Sequence, residues 1–171
     1  MKIIIALLVF MTSYSTLFSQ DEEKQKSNLV YLQAGGPSII GSINYERILF
    51  TKEKTTIGLR FGIGTTRFKD FTQNFNPDLT IPLGVIFGYT FKRLEKSAFA
   101  AKIELGNTFA SVVVLSEKFS PARQNSQSGF TSIGAVWLHK KGYYIGLAYT
   151  PMLVRYKTFR HWGSLSLGCA F

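Results

Sequence analysis

Apolar and polar residues alternate along most of this chain with a period of two, at which successive side chains fall on opposite faces of a β-strand. Residues 56–67 set Ile57, Leu59, Phe61 and Ile63 against Gly58, Arg60, Gly62 and Gly64. Residues 80–92 put Ile81, Leu83, Val85, Phe87, Tyr89 and Phe91 on one side. The closing stretch, 162–171, places Leu165, Leu167, Cys169 and Phe171 on one parity and Ser164, Ser166, Gly168 and Ala170 on the other. One face of each such strand is greasy, and the other is small and polar.

The same reading predicts eight strands: 28–35, 39–50, 56–67, 80–92, 98–115, 129–139, 143–154 and 162–171. In the fifth, Phe99, Ala101, Ile103, Leu105 and Phe109 oppose Lys102, Glu104, Gly106 and Thr108. In the sixth, Ile133, Val136, Trp137 and Leu138 keep no single side, so its facing stays open. Segment 116–128 is the most loop-like of all, and 68–79 and 155–161 are the other long connections. The connections 36–38, 51–55, 93–97 and 140–142 are short. An even number of strands in up-and-down order, with no helix among them, predicts an all-β fold: an eight-stranded antiparallel up-and-down transmembrane β-barrel over residues 28–171. Three of the short connections share a side with both termini, as in a bacterial outer-membrane barrel with periplasmic ends. Tyr89, Phe91, Phe99, Tyr143 and Phe171 then gather at the periplasmic rim as an aromatic girdle.

The N-terminus differs from the rest. Lys2, the apolar run 3–10 and a small-residue, polar stretch ending at Ser19 have the three-part order of a secretory signal peptide, predicted over 1–19, with a charged linker over 20–27. That run is too short for a spanning helix, which needs about 20 apolar residues. The single Cys169 leaves no internal disulfide. The net charge of +10 could suit nucleic acid, but export argues against it, and a phosphate-rich membrane surface is the better-matched polyanion. No phosphate loop, metal-ligand spacing or paired catalytic carboxylates occur, so no cofactor is implied.

Alternation alone does not say which face points inward. A secreted lipocalin-like barrel binding a small hydrophobic ligand would reverse the faces. The polar face is mostly Gly, Ser, Thr and Ala, with only Glu46, Arg60, Lys102 and Glu104 charged, which suits a crowded lumen rather than a solvated exterior. A hairpin centred on Glu53 pairs position 46 with position 60, and Lys102 and Glu104 lie two apart on one face. Charges in a narrow lumen must pair. Two readings follow: a gate on an ion path, or a fixed salt-bridge plug, which the small lumen of eight strands favours.

The predicted signal peptide, the segment Ser42-Ile43-Asn44-Tyr45-Glu46-Arg47 after a Gly-rich first hairpin, and the closing Leu165-Ser166-Leu167-Gly168 with Phe171 carry a resemblance. The chain resembles the small eight-stranded outer-membrane β-barrel proteins of Gram-negative bacteria. Where many members have an aromatic or basic residue before the final Phe, this chain has Cys169-Ala170. The resemblance implies an outer-membrane location, insertion by the barrel-insertion machinery and a monomer. Function divides three ways. A structural or surface-interaction barrel would use basic external loops, with Lys69, Lys118, Arg123, Arg155, Lys157 and Arg160, to contact lipopolysaccharide or a partner. A lipid A-modifying enzyme would need a nucleophile beside a base, yet His161 and Ser164 fall on opposite strand faces. A porin-like open pore is disfavoured by the charged lumen.

Overall fold

The computed structural model describes residues 26–70, 72–115, 121–154 and 158–171. Eight strands follow one another: β1 (Asn28–Gly35), β2 (Gly41–Lys52), β3 (Thr55–Thr65), β4 (Leu79–Arg93), β5 (Ser97–Leu115), β6 (Pro121–His139), β7 (Tyr143–Val154) and β8 (Thr158–Ala170). Each pairs antiparallel with the next, and β8 returns to β1, so the sheet is a closed barrel. The closing register runs from Leu29↔Ala170 to Gly35↔Ser164. Reciprocal backbone bonds between Asn28 and Phe171, 3.1 and 2.9 Å, lock its end. Closure satisfies the backbone groups that an open edge would leave bare in hydrocarbon.

The turns Lys52–Thr55, Arg93–Ser97 and His139–Tyr143 lie at the rim that holds both termini, called the near rim here; the other is the far rim. Bulges at Leu49 and Phe91 interrupt the ladders at the near ends of β2 and β4. Such irregularities concentrate at barrel rims, where they terminate pairing and re-aim side chains. The predicted girdle gathers there: Tyr89, Phe91, Tyr143 and Phe171 are exposed, and Phe99 is half-buried against Phe91, centroids 6.4 Å apart.

The greasy face points outward. Leu32, Ile43, Ile63, Leu147 and Leu167 are all more than half exposed, while Ser42, Asn44, Glu46, Arg60, Thr80, Glu104, Ser132 and Ser166 are buried. A barrel with that exterior fits a bilayer, and the reversed, lipocalin-like arrangement is excluded. No helix among the described residues is long and apolar enough to cross a membrane.

Two expectations are corrected. Residues 121–128, read as loop from their Pro, Arg, Gln, Asn and Ser, belong to β6 and pair with β5 from Thr108↔Ser128 to Leu115↔Pro121. Likewise 158–161, read as loop, pair with β7 through Val154↔Thr158 to Pro151↔His161. A ladder needs only backbone partners, so a hairpin that rises past the apolar band can be polar on both faces. The connections left between these paired segments, 116–120 and 155–157, lie outside the described residues.

The undecided facing of β6 resolves as well. Ile133 points out at 54% exposure, while Val136 and Leu138 pack on a buried cluster of Leu29, Tyr31, Tyr144 and Ala170. Inward positions at the near end are apolar too, and that hid the alternation. The predicted leader over 1–19 and most of the linker lie outside the described residues.

Candidate functional site

From the near rim inward, the lumen is first closed by the apolar cluster of Leu29, Tyr31, Tyr144 and Ala170. Tyr31 and Tyr144 meet with centroids 5.4 Å apart. Beside it lies the charge layer. Glu46 and Arg60 are register partners on β2 and β3, as the hairpin spacing predicts. Each nevertheless takes its ion pair from β5. Lys102 Nζ donates to both carboxylate oxygens of Glu46, at 2.8 and 2.6 Å. Arg60 Nη1 donates to Glu104 Oε2 at 2.8 Å. Long side chains reach across a narrow lumen more easily than they fold sideways onto a neighbour, and each cation also finds an aromatic face. Arg60 lies 5.6 Å from the Phe130 centroid and Lys102 lies 5.3 Å from that of Tyr144.

Glycines make this layer possible. A Cβ on Gly84 would overlap Glu104 Oε1, one on Gly62 would overlap Asn44 Oδ1, and one on Gly106 would strike the ring of Phe130. The small residues of the polar face are thus the space into which opposing large side chains extend. The cavity beside Tyr31, Lys102, Glu104 and Tyr144 is about 40 Å³, room for a water or two but for no larger solute.

Past the charges, the lumen is neutral and polar. Gln33 Nε2 donates to Ser164 Oγ at 3.2 Å, Asn44 Nδ2 to Ser42 Oγ at 2.9 Å, and Thr150 Oγ1 to Ser132 Oγ at 3.1 Å. The β1–β2 connection then folds into the barrel mouth as one 3₁₀ turn, Gly36–Ser38. Pro37 and Ser38 are fully buried, and Thr80 Oγ1 donates to Ser38 Oγ at 3.0 Å. Gly35, with φ 78° and ψ −157°, makes the bend in a region of backbone space open essentially to glycine alone. The lumen is filled between an apolar floor and this inturned turn.

The basic positions are dispersed. Lys69 is exposed in the β3–β4 connection, where it bridges to Phe75. Arg123 stands on β6 and donates to Asn76 Oδ1 at 2.9 Å and to the Pro77 carbonyl at 3.1 Å. Arg160 is exposed on β8. Lys118, Arg155 and Lys157 lie outside the described residues. Arg67, just past β3, organises the far rim. Its guanidinium contacts Asp78 at 3.5 Å and donates to the Val113 carbonyl, while Asp78 Oδ1 accepts from Val113 N at 2.8 Å. The motif Arg-x₁₀-Asp gave no sign of this, because β5 supplies the third member. Ser164 faces the lumen and His161 the exterior, where the Tyr149 hydroxyl bonds its Nδ1, so the two form no catalytic pair.

Asp70 ties the β3–β4 connection together. Its carboxylate accepts from the Thr72 hydroxyl at 2.6 Å, from the Thr72 and Asn74 backbone N–H groups, and from Asn76 Nδ2. These bonds, led by that of the Thr72 hydroxyl, hold its pKa below the ordinary carboxylate value. A depressed folded-state pKa contributes order that is complete above the unfolded value, near 3.9, and is lost as pH falls through the folded one. Amide exchange at Thr72 and Asn74, corrected for the intrinsic pH effect, should therefore stay slow at pH 6 and speed up below about pH 4. In Asp70→Asn it should be fast at both.

No protein-family model and no curated protein matches the chain. Among solved structures it is similar to the N-terminal β-barrel domain of Pseudomonas aeruginosa OprF, with 15% identity and a TM-score of 0.56 over 86% of this chain and 100% of that one. It is also similar to Neisserial surface protein A, with 13% identity and a TM-score of 0.52 over 85% of this chain and 95% of that one. The likeness is one of fold: this chain is built as a small eight-stranded outer-membrane β-barrel.

Proposed function

We propose that this barrel is a non-enzymatic protein of the bacterial outer membrane with a structural or surface-interaction role, and that the basic side chains of its far rim contact lipopolysaccharide phosphates. The observation that carries this reading is the filled lumen. Among the described residues, an apolar cluster, two ion pairs across the lumen and the inturned Gly36–Ser38 leave no passage and no chamber for a substrate, which leaves the exterior and the far rim for recognition. The crossed pairs act here as a fixed plug rather than a gate.

A basic group near an anionic membrane surface contributes about 1 kcal/mol, screened by salt. Replacing Lys69, Lys118, Arg123, Arg155 and Lys157 together with Gln is expected to weaken binding of labelled lipid A to the folded protein in zwitterionic detergent by more than tenfold at low ionic strength. The gap should close as salt is raised. An affinity unchanged from wild type would discard the lipopolysaccharide contact and leave a protein partner as the rim's ligand.

A further inference from the structure

The two bulges of the near rim have a common effect. On β2 the outward residues are Ile43, Tyr45 and Arg47 up to the bulge at Leu49, and Phe50 and Lys52 beyond it, because the extra residue reverses the parity. Lys52 therefore stands opposite Thr55, and Thr55 opposite Tyr89, on a rung that faces out. On β4 the outward residues run Val85, Phe87 and Tyr89, and the bulge at Phe91 then brings Lys92 opposite Phe99, on the outward rung that continues to Trp137. Without the bulges, Lys52 and Lys92 would face the lumen, since one residue of slip moves a side chain to the other face. With them, Arg47, Lys52 and Lys92 all stand exposed on the outside of β2 and β4.

The arrangement is held from behind. Arg93 Nη2 donates to the Glu53 carbonyl at 3.0 Å and Thr90 N to the Lys54 carbonyl at 2.8 Å, so the end of β4 is tied to the β2–β3 turn. Exposed Phe50, Tyr89 and Phe91 lie on the same strand ends as the cations. Among the described residues, none of the three cations makes an ion pair or a side-chain hydrogen bond. The carboxylates of the adjoining turns, Glu53 and Glu95, each have a lysine next to them in sequence, Lys54 and Lys96.

A cation on a lipid-facing wall, level with an aromatic girdle, meets lipid headgroups, and the counter-charge to hand there is a phosphate. A zwitterionic headgroup would bring an ammonium for which this outward face has no carboxylate. A net anionic one brings no such mismatch.

We propose that the near-rim exterior of β2–β4 binds a glycerophospholipid with a net anionic headgroup, its phosphodiester at Lys52 and Lys92, with Arg47 reaching the same headgroup layer from between Tyr45 and Leu59. The two bulges are what build this site. It lies at the opposite end of the barrel from the basic far rim and does not depend on what that rim binds.

The test is native mass spectrometry of the full folded chain in non-ionic detergent, with phosphatidylglycerol and phosphatidylethanolamine of identical acyl chains as probes. Wild type is expected to retain phosphatidylglycerol about fivefold over phosphatidylethanolamine, because each basic group near an anionic lipid surface adds to binding. Arg47→Gln/Lys52→Gln/Lys92→Gln should bring the two lipids level while keeping the gel shift on boiling that marks a folded barrel. If that variant fails to fold, Lys52→Gln/Lys92→Gln changes only exposed side chains past the bulges and should lose most of the preference. Lys54→Gln/Lys96→Gln/Lys141→Gln removes the same charge from the turns and should keep the wild-type preference. Equal retention of the two lipids by wild type overturns the proposal and leaves the near rim to an acidic soluble partner. An undiminished preference in the outward-face variants overturns it too. So does an equal loss in the turn variant, since net charge rather than placement would then set the preference.

Discussion

Glu104→Ala is expected to destabilise the folded barrel by about 3–5 kcal/mol, the usual cost of removing one partner from a buried ion pair. Arg60 has 1% of its side chain exposed, and its ion pair is with Glu104. With that carboxylate gone, the guanidinium stays buried between Phe130 and the glycine-lined wall. Lys102 already holds both oxygens of Glu46, so that anion is not free to change partners without stripping a second cation. The check is urea unfolding in phosphatidylcholine vesicles, read by Trp137 and Trp162 fluorescence. The informative comparison is Arg60→Met/Glu104→Leu, which removes both charges and keeps the volume. Buried pairs replaced by apolar groups are often neutral or stabilising, so the double variant should stand well above the single one. A single-variant loss below about 1 kcal/mol would mean that water reaches Arg60 and that the plug is open. A plug also predicts no rise in single-channel conductance in the double variant, whereas a gate predicts one.

Leu147→Arg should be nearly as costly, for a different reason. Leu147 lies mid-strand on β7, points away from the lumen and is 63% exposed. On a soluble barrel, an Arg there would sit in water at little cost. In a bilayer, it must reach the headgroups from near the midplane, at about 2–4 kcal/mol. The penalty falls toward the interface, so Tyr143→Arg at the near rim should cost at most about 1 kcal/mol. Unfolding both variants in vesicles of one lipid measures the gradient. Equal and small losses would remove the exterior from the membrane.

Strand number and order were legible in the alternation and in the turn signals between segments, and the outward face in the small residues of the polar parity. Each is a property of local parity, and a hydrocarbon exterior against a crowded lumen leaves different residues on the two sides. The same pattern put Glu46 opposite Arg60, although the turn pairs Lys52 with Thr55 and it is the bulge at Leu49 that brings the two into register. Parity fails where the medium stops differing between faces. At the far end of β6 the residues of both faces are polar, so Gln124, Asn125 and Ser126 read as loop although β5 pairs with them. At the near end both faces of β6 are apolar, because Val136 and Leu138 complete the cluster around Tyr31 and Tyr144.

What the sequence by itself determined, then, is everything set by neighbours along a strand or across a counted turn: eight strands, the facing of most of them, and the four charges in one lumen. Only the tertiary structure decided which charges pair, that Gly84 and Gly62 are the room for Glu104 and Asn44, and that Gly36–Ser38 turns into the mouth. The ion pairs depend on distances between strands two or more apart around the ring, set by barrel diameter and stagger. Closure alone brings Lys102 to Glu46, 56 positions away along the chain.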